Sequence, residues 1–76
     1  MKAKEYNSIL PRNIRNIINA SGLKQYIIAE RAGFSKQQFN DMVNGRRIIK
    51  PCDVVAIASA LNVEVSDLFA IKKEGD

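Results

Sequence analysis

The stretch QYIIAERAGFSKQQFNDMVNG, residues 25–45, decides how this chain folds. It predicts two short helices that are separated by Gly33, because glycine readily adopts the positive φ that ends a helix sharply. Ala29 lies in the middle of the first helix, where its small side chain lets another helix cross closely. Ser35 follows the glycine and is a candidate N-cap of the second helix.

The second of these helices, expected over 36–43, follows a first helix over 24–31 and has two different faces. Phe39 and Met42 are spaced i and i+3 and predict its buried face. The outward face carries amides and charges, from Lys36, Gln37, Gln38, Asn40 and Asp41. Such side chains are what a helix needs to hydrogen-bond base edges in a DNA major groove. The alternative is an ordinary surface helix whose polar face contacts water.

Three further helices flank this pair. The first is expected to start at an N-cap, Ser8, and to end at Gly22, after which Leu23 turns back into the core. A fourth helix is expected to begin at Pro51, since proline is favoured at a first helical position. A short fifth helix is expected over 65–71.

A chain of 76 residues with 46% hydrophobic side chains predicts one small domain. We divide it into a flexible N-terminal arm (1–7), a helical domain (8–71) and a polar tail (72–76). Its apolar runs are far shorter than the roughly 20 residues of a membrane span, and no signal peptide is visible. The expected compartment is therefore the cytoplasm.

Residue types that serve catalysis or bind metals are scarce. The chain has no histidine and one cysteine, which removes the usual general base, the usual metal ligand and an internal disulfide. It has no clustered carboxylate pair and no glycine-rich phosphate loop. We expect neither an enzyme nor a cofactor.

The net charge of +4 is unevenly distributed. Residues 24–50 carry six basic and two acidic side chains, whereas residues 51–71 carry three acidic side chains and no basic one. The basic part contains the polar helix. A basic surface in that position is the electrostatic signature of a protein that binds phosphates.

Residues 10–69 resemble the Cro/repressor-type, Xre-like helix-turn-helix family of small bacterial and phage DNA-binding proteins. The resemblance depends on an ordered set: Gln25, Ala29-x3-Gly33, Ser35, Phe39, Met42, Asn44-Gly45, Ala58-x2-Leu61 and residues 65–69. It implies an all-α fold, a five-helix lambda-repressor-like bundle that contains a helix-turn-helix. The implied function is a sequence-specific, repressor-like transcriptional regulator that reads the major groove of double-stranded DNA with helix 36–43.

The resemblance also implies which side chains contact DNA. The expected base contacts come from Lys36, Gln37, Gln38, Asn40 and Asp41. The expected phosphate contacts come from Lys24, Gln25, Tyr26, Ser35, Asn44, Arg46 and Arg47. Gln25 has an alternative role, the capping of its own helix. Tyr26 and Ile27 replace residues that are usually polar in the family, so they either contact the DNA backbone or form an exposed hydrophobic patch.

So small a domain reaches few base pairs as a monomer, and a homodimer on a palindromic site is therefore expected. Its expected interface is about residues 61–71, which lack basic side chains and are richly apolar. The alternative function is a protein-interaction module of the same fold, such as an antitoxin or an anti-repressor.

Two departures from the family pattern concern charged positions. Ile18 and Val43 stand where the family commonly buries an arginine against a glutamate. Because both partners are apolar here, the exchange is compatible with the fold. Asp41 is acidic at a position expected to face the groove, where a carboxylate is costly near phosphates unless it is paired, for example with cytosine N4.

Overall fold

The computed structural model describes residues 3–70, with side chains from residue 9 onward. This range contains five helices and no strand. The helices are α1 (Ala3–Ser21), α2 (Gln25–Ala32), α3 (Lys36–Val43), α4 (Pro51–Leu61) and α5 (Val65–Leu68). The predicted all-α, five-helix fold is confirmed.

Most helix ends lie at or within one residue of their predicted positions. Gly22 and Gly33 both have positive φ, of 75° and 86°, and follow the ends of α1 and α2 as expected. Pro51 occupies the start of α4, and Asn62 ends that helix in the left-handed conformation. These ends are set by neighbouring residues, which is why a local pattern predicts them.

The predicted start of α1 at Ser8 is wrong. The helix begins at Ala3 and carries Pro11 in its interior. Ser8 therefore lies inside a continuous helix and not at the N-cap position that precedes a helix. Residues 3–7 of the predicted arm form the start of α1, and whether they behave as a flexible arm stays a prediction. The predicted tail, 72–76, lies outside the described residues.

The helices enclose one hydrophobic core. α1 packs against α3 and α5, while α2 packs against α3 and α4, and α4 also packs against α5. The core is made by Leu10, Ile14, Ile18, Ile28, Ala29, Phe39, Met42, Val43, Ile49, Val54, Ile57, Ala58, Ala60 and Leu68. Ile18 and Val43 both belong to it, as their apolar exchange predicts.

The expected burial of Leu23 is wrong, because this side chain is 37% exposed. The hydroxyl of Ser21 accepts a hydrogen bond from the Leu23 N–H at 3.1 Å and donates one to the Ile18 carbonyl at 2.7 Å. These local bonds hold the short connection between α1 and α2 at the surface, so the leucine does not enter the core.

α5 ends at Leu68, three residues before its predicted end. The side-chain amide of Asn13, on α1, donates hydrogen bonds to the carbonyls of Leu68 at 2.9 Å and Ala70 at 2.8 Å. Carbonyls at a helix end have no partner inside the helix. Asn13 supplies that partner from a residue more than fifty positions away in the chain.

Candidate nucleic-acid interface

The turn between α2 and α3 has a fixed geometry. Gly33 donates its N–H to the Glu30 carbonyl at 3.2 Å, and Phe34 donates its N–H to the Ala29 carbonyl at 2.9 Å. This pair of bonds, together with the positive φ of Gly33, ends α2 and redirects the chain. α3 is thus held at a defined angle across α2.

The start of α3 is closed by a capping box. The Ser35 hydroxyl accepts the Gln38 N–H at 3.1 Å, and the Gln38 side-chain oxygen accepts the Ser35 N–H at 3.0 Å. The predicted N-cap role of Ser35 is confirmed. Gln38 turns its amide back toward the helix start, so its side chain stabilises α3 in the unbound protein.

The inner face of α3 is anchored by three side chains that are at most 1% exposed: Phe39, Met42 and Val43. Phe34, in the turn, stacks on Phe39 with ring centroids 6.2 Å apart. Lys36 and Gln37 remain exposed on the opposite face. The polar face predicted from the sequence therefore lies outward on a helix that is firmly seated.

Gln25 and Asn40 connect the two helices. The Gln25 side-chain nitrogen lies 3.4 Å from Asn40 Oδ1, and Asn44 donates to the same oxygen at 3.0 Å. The N-cap residue of α2 is Lys24, with no side-chain cap. Gln25 thus reaches α3 instead of capping its own helix.

Backbone N–H groups are available at the start of α2. Within residues 3–70, the N–H groups of Gln25 and Tyr26 have no hydrogen-bond acceptor. Lys24 is exposed beside them. N–H groups at a helix start, reinforced by the helix dipole, favour an anion such as a phosphate.

Tyr26 lies beside the cleft between α2 and α3. Its ring is 45% exposed, and the Lys36 ammonium lies 5.4 Å from the ring centroid. The cleft is lined by Gln25, Tyr26, Ala29, Lys36, Gln37, Phe39 and Asn40. Ile27 is half-buried, so Tyr26 is the more accessible of the two residues whose role the sequence left open.

Asp41 connects α3 to the loop that follows it. Its Oδ1 accepts hydrogen bonds from the Gln37 side-chain nitrogen at 3.0 Å and from Arg46 Nε at 3.3 Å. Its backbone carbonyl accepts the N–H groups of Arg46 at 2.8 Å and Arg47 at 3.2 Å. Asp41 is therefore paired within the protein, which answers the concern that a carboxylate at this position would be uncompensated.

The expected contact residues thus fall into connected groups. The Lys36 ammonium lies over the Tyr26 ring, Asn40 accepts from Gln25 and Asn44, and Asp41 accepts from Gln37 and Arg46. Sequence reasoning did not foresee these pairings. The i, i+4 spacing of Gln37 and Asp41 was a usable signal, because such residues are neighbours on a helix surface. The pairing of Gln25 with Asn40 had no local signal.

Known structures with this fold include regulators. The restriction-modification controller protein C.AhdI from Aeromonas hydrophila is 25% identical, with a TM-score of 0.76 over 79% of this chain and 91% of that chain. The clp gene regulator ClgR from C. glutamicum is 19% identical, with a TM-score of 0.80 over 84% of this chain and 83% of that chain. No curated protein matches the chain significantly.

The family comparison covers most of the chain. Residues 13–74 match the Cro/C1-type HTH DNA-binding domain, and this span includes both helices of the turn and every expected DNA contact. The match confirms the resemblance inferred over residues 10–69 and the DNA-binding class that it implies. The chain belongs to the Cro/C1-type helix-turn-helix DNA-binding family.

Proposed function

We propose that the protein is a sequence-specific, repressor-like transcriptional regulator that places α3 in the major groove of double-stranded DNA. The observation that carries this proposal is the outward polar face of α3, held by three fully buried side chains and by a capped helix start. A rigid helix with exposed amides and charges suits direct reading of base edges.

The proposed base contacts are Lys36, Gln37, Gln38, Asn40 and Asp41. Lys36 and Gln37 are the most exposed of these and open the helix. Gln38 and Asn40 are half-buried and hold local hydrogen bonds in the unbound protein. Their contact with a base requires exchange of those bonds, whereas Lys36 and Gln37 need only a small movement.

The proposed phosphate contacts flank this helix on both sides. Lys24, Gln25 and Tyr26 belong to the start of α2, Ser35 caps α3, and Asn44, Arg46 and Arg47 follow its end. Arg46 uses only Nε–H toward Asp41 and its side chain is exposed, so its four other N–H groups are available for a phosphate. Contacts of this type position a protein on DNA without selecting a sequence.

A homodimer on a palindromic site extends the proposal. Two recognition helices must lie about 34 Å apart to enter successive major grooves on one face of DNA. The molecule measures 34 × 25 × 18 Å, so the spacing is compatible with two copies that meet end to end along the longest axis. The proposed interface is about residues 61–71, where Val65 is 39% exposed.

Part of that proposed surface belongs to the monomer. Leu68 is fully buried, and Leu61, Val63 and Phe69 pack against the core. Residue 71 lies outside the described residues. An additional exposed apolar side chain, Val55, is 58% exposed on α4. On α4 and α5, the exposed large apolar side chains are therefore these two valines.

The similar controller protein C.AhdI supports a regulatory role without an enzymatic one, and a DNA partner supports the expected cytoplasmic location. Within residues 3–70, no helix is long and apolar enough to cross a membrane. The proposal needs no cofactor, because the contacts come from the side chains and backbone of α2, α3 and the following loop.

A binding titration tests the proposal directly. The protein is titrated onto the duplex upstream of its own reading frame at low and moderate salt, with a random duplex as competitor. We expect a steep loss of affinity with salt, because phosphate contacts release counterions, and preferential retention of the upstream duplex. Retention of both duplexes alike would show non-specific binding only. No binding to either would favour the protein-interaction module.

A further inference from the structure

Asp41 determines how Gln37 is oriented on the exposed face of α3. The Asp41 Oδ1 lies 3.0 Å from the Gln37 side-chain nitrogen, one helical turn away. An ionised carboxylate has acceptors and no donor. The Gln37 amide must therefore turn its NH₂ group to Asp41 and keep its oxygen on the other side.

The loop that follows α3 holds the Asp41 carboxylate in place. Arg46 Nε donates to the same Oδ1 at 3.3 Å. The Asp41 carbonyl also accepts the Arg46 and Arg47 N–H groups, which folds the loop back toward the helix end. The Asp41 side chain is 29% exposed, so this arrangement is partly shielded from water.

The orientation of Gln37 has a consequence for base reading. An outward amide oxygen is an acceptor and pairs with the exocyclic amino groups of adenine or cytosine. Guanine and thymine present acceptors, O6 and O4, at the corresponding places in the major groove. The Gln37 nitrogen keeps a second N–H, but a keto oxygen that accepted it would lie next to the Asp41 carboxylate and be repelled. An amide that is free to turn over would pair with either class, because its NH₂ group donates.

We propose that Asp41 is a positioning residue that makes Gln37 selective for amino-bearing bases, adenine or cytosine, over keto-bearing bases. This inference rests on the proposed function. It adds the chemical class of base that one side chain reads and names the residue that imposes the choice. For Asp41, whose Oδ1 already accepts from Gln37 and Arg46, this inference replaces the direct base contact proposed above with an effect that it exerts through Gln37.

The test begins with selection of bound sequences from a random-sequence duplex pool. Every base pair of the enriched duplex is then exchanged in turn, and affinities are measured for the wild type and Gln37→Ala. The position that loses its preference in Gln37→Ala is the one read by Gln37. For the wild type, exchange of one amino-bearing base for the other on the same strand at that position is expected to lower the affinity at most about threefold. Exchange of the amino-bearing base for a keto-bearing base is expected to lower the affinity about tenfold.

Two substitutions of Asp41 separate orientation from shape. Asp41→Asn keeps the size of the side chain, but its amide both donates and accepts, so Gln37 can take either orientation. The amino-over-keto ratio is the affinity for the duplex with an amino-bearing base at that position divided by the affinity for the duplex with a keto-bearing base. For Asp41→Asn, we expect this ratio to fall to within about threefold of unity. Asp41→Glu keeps a carboxylate that only accepts, and we expect it to retain most of the ratio.

Charge effects are removed by using ratios and a matched control. Asp41→Asn also removes a negative charge near phosphates, which raises affinity for all duplexes alike. Glu30→Gln makes the same change of charge at an exposed residue of α2 that belongs neither to the proposed DNA contacts nor to the proposed dimer interface. We expect it to leave the amino-over-keto ratio unchanged. Circular dichroism of each variant establishes that α3 is still folded.

The outcomes separate the inference from the function on which it rests. If the wild type enriches no sequence, the proposed function fails and the inference fails with it. If Gln37→Ala leaves every preference intact, or if Asp41→Asn keeps the full amino-over-keto ratio, sequence-specific binding stands and the inference is overturned. Loss of the ratio in Asp41→Asn and its retention in Asp41→Glu establish the inference.

Discussion

At the scale of single residues, Ile18 and Val43 are buried on α1 and α3, two helices that pack against each other. Val43→Glu is expected to lower the free energy of unfolding by about 3–5 kcal/mol, because a buried carboxylate loses its water and gains no partner. Adding Ile18→Arg is expected to restore much of the loss by supplying that partner. Thermal denaturation of both single variants and the double variant measures the coupling.

Val55→Glu is the matched control for this experiment. Val55 is 58% exposed on α4, so its substitution is expected to change stability by no more than about 0.5 kcal/mol. If Val43→Glu proves as mild as this control, the interpretation of residues 18 and 43 as a paired core position is wrong. If Ile18→Arg fails to recover stability, residues 18 and 43 are not coupled, while the burial of Val43 still stands.

Gln37 and Arg46 are expected to contribute differently to DNA binding, although Asp41 connects them. Gln37→Ala is expected to cost about 1–3 kcal/mol on the preferred duplex and much less on random DNA, because it removes a base contact. Arg46→Ala is expected to weaken both duplexes alike and to reduce the salt slope by about one, because it removes a phosphate contact. Fluorescence anisotropy at two salt concentrations measures both.

Arg12→Ala serves as the control for lost charge, since Arg12 is exposed on α1, outside the proposed interface. Its effect on the salt slope is expected to be smaller than that of Arg46→Ala. If Gln37→Ala lowers the affinity for both duplexes equally, Gln37 does not read a base. The assignment of the helix-turn-helix fold would not be affected.

At the scale of elements, α5 is a four-residue helix whose carboxyl end depends on α1. Asn13 donates to the Leu68 and Ala70 carbonyls, and α5 is too short to be stable without tertiary contacts. Asn13→Ala is expected to lower the free energy of unfolding by about 1–3 kcal/mol, because the partly buried bond to the Leu68 carbonyl and the exposed bond to the Ala70 carbonyl lose their donor. Hydrogen exchange is expected to show faster opening of residues 65–69.

Asn13→Asp and Asn16→Ala sharpen this test. The aspartate keeps the shape of Asn13 but cannot donate when ionised, so it is expected to destabilise at least as much as alanine. Asn16 is exposed one turn further along α1, and Asn16→Ala is expected to change stability by no more than about 0.5 kcal/mol. An Asn13→Ala protein as stable as the Asn16→Ala protein would show that the two hydrogen bonds contribute little.

At the scale of the whole molecule, the proposed dimer depends on exposed apolar side chains of the segment without basic residues. Val65→Asp is expected to weaken self-association while helical content stays the same, because it places a charge on a surface that loses water on pairing. Analytical ultracentrifugation across a range of concentrations measures the association, and circular dichroism monitors the helices.

Val55→Asp locates the interface more closely. Val55 and Val65 lie on α4 and α5, which pack together. Weakening by both substitutions would place the interface across the two helices. An unchanged dimer for Val65→Asp, with or without an effect of Val55→Asp, would contradict the placement at residues 61–71.

The sequence by itself determined the features that depend on neighbouring residues. α3 begins where predicted because Gly33, Ser35 and Gln38 lie within a few positions of each other and form the turn and the N-terminal cap locally. The buried face of Phe39 and Met42 follows from helical spacing. The family resemblance, which used the same ordered residues, likewise led to the DNA-binding class.

Only the tertiary structure decided the features that join distant residues. The bond from Gln25 to Asn40 and the bonds from Asn13 to the end of α5 connect positions whose spacing carries no periodic signal. Caps and turns depend on bonds between near neighbours, whereas these contacts exist only after the helices have packed, and so no local pattern encodes them.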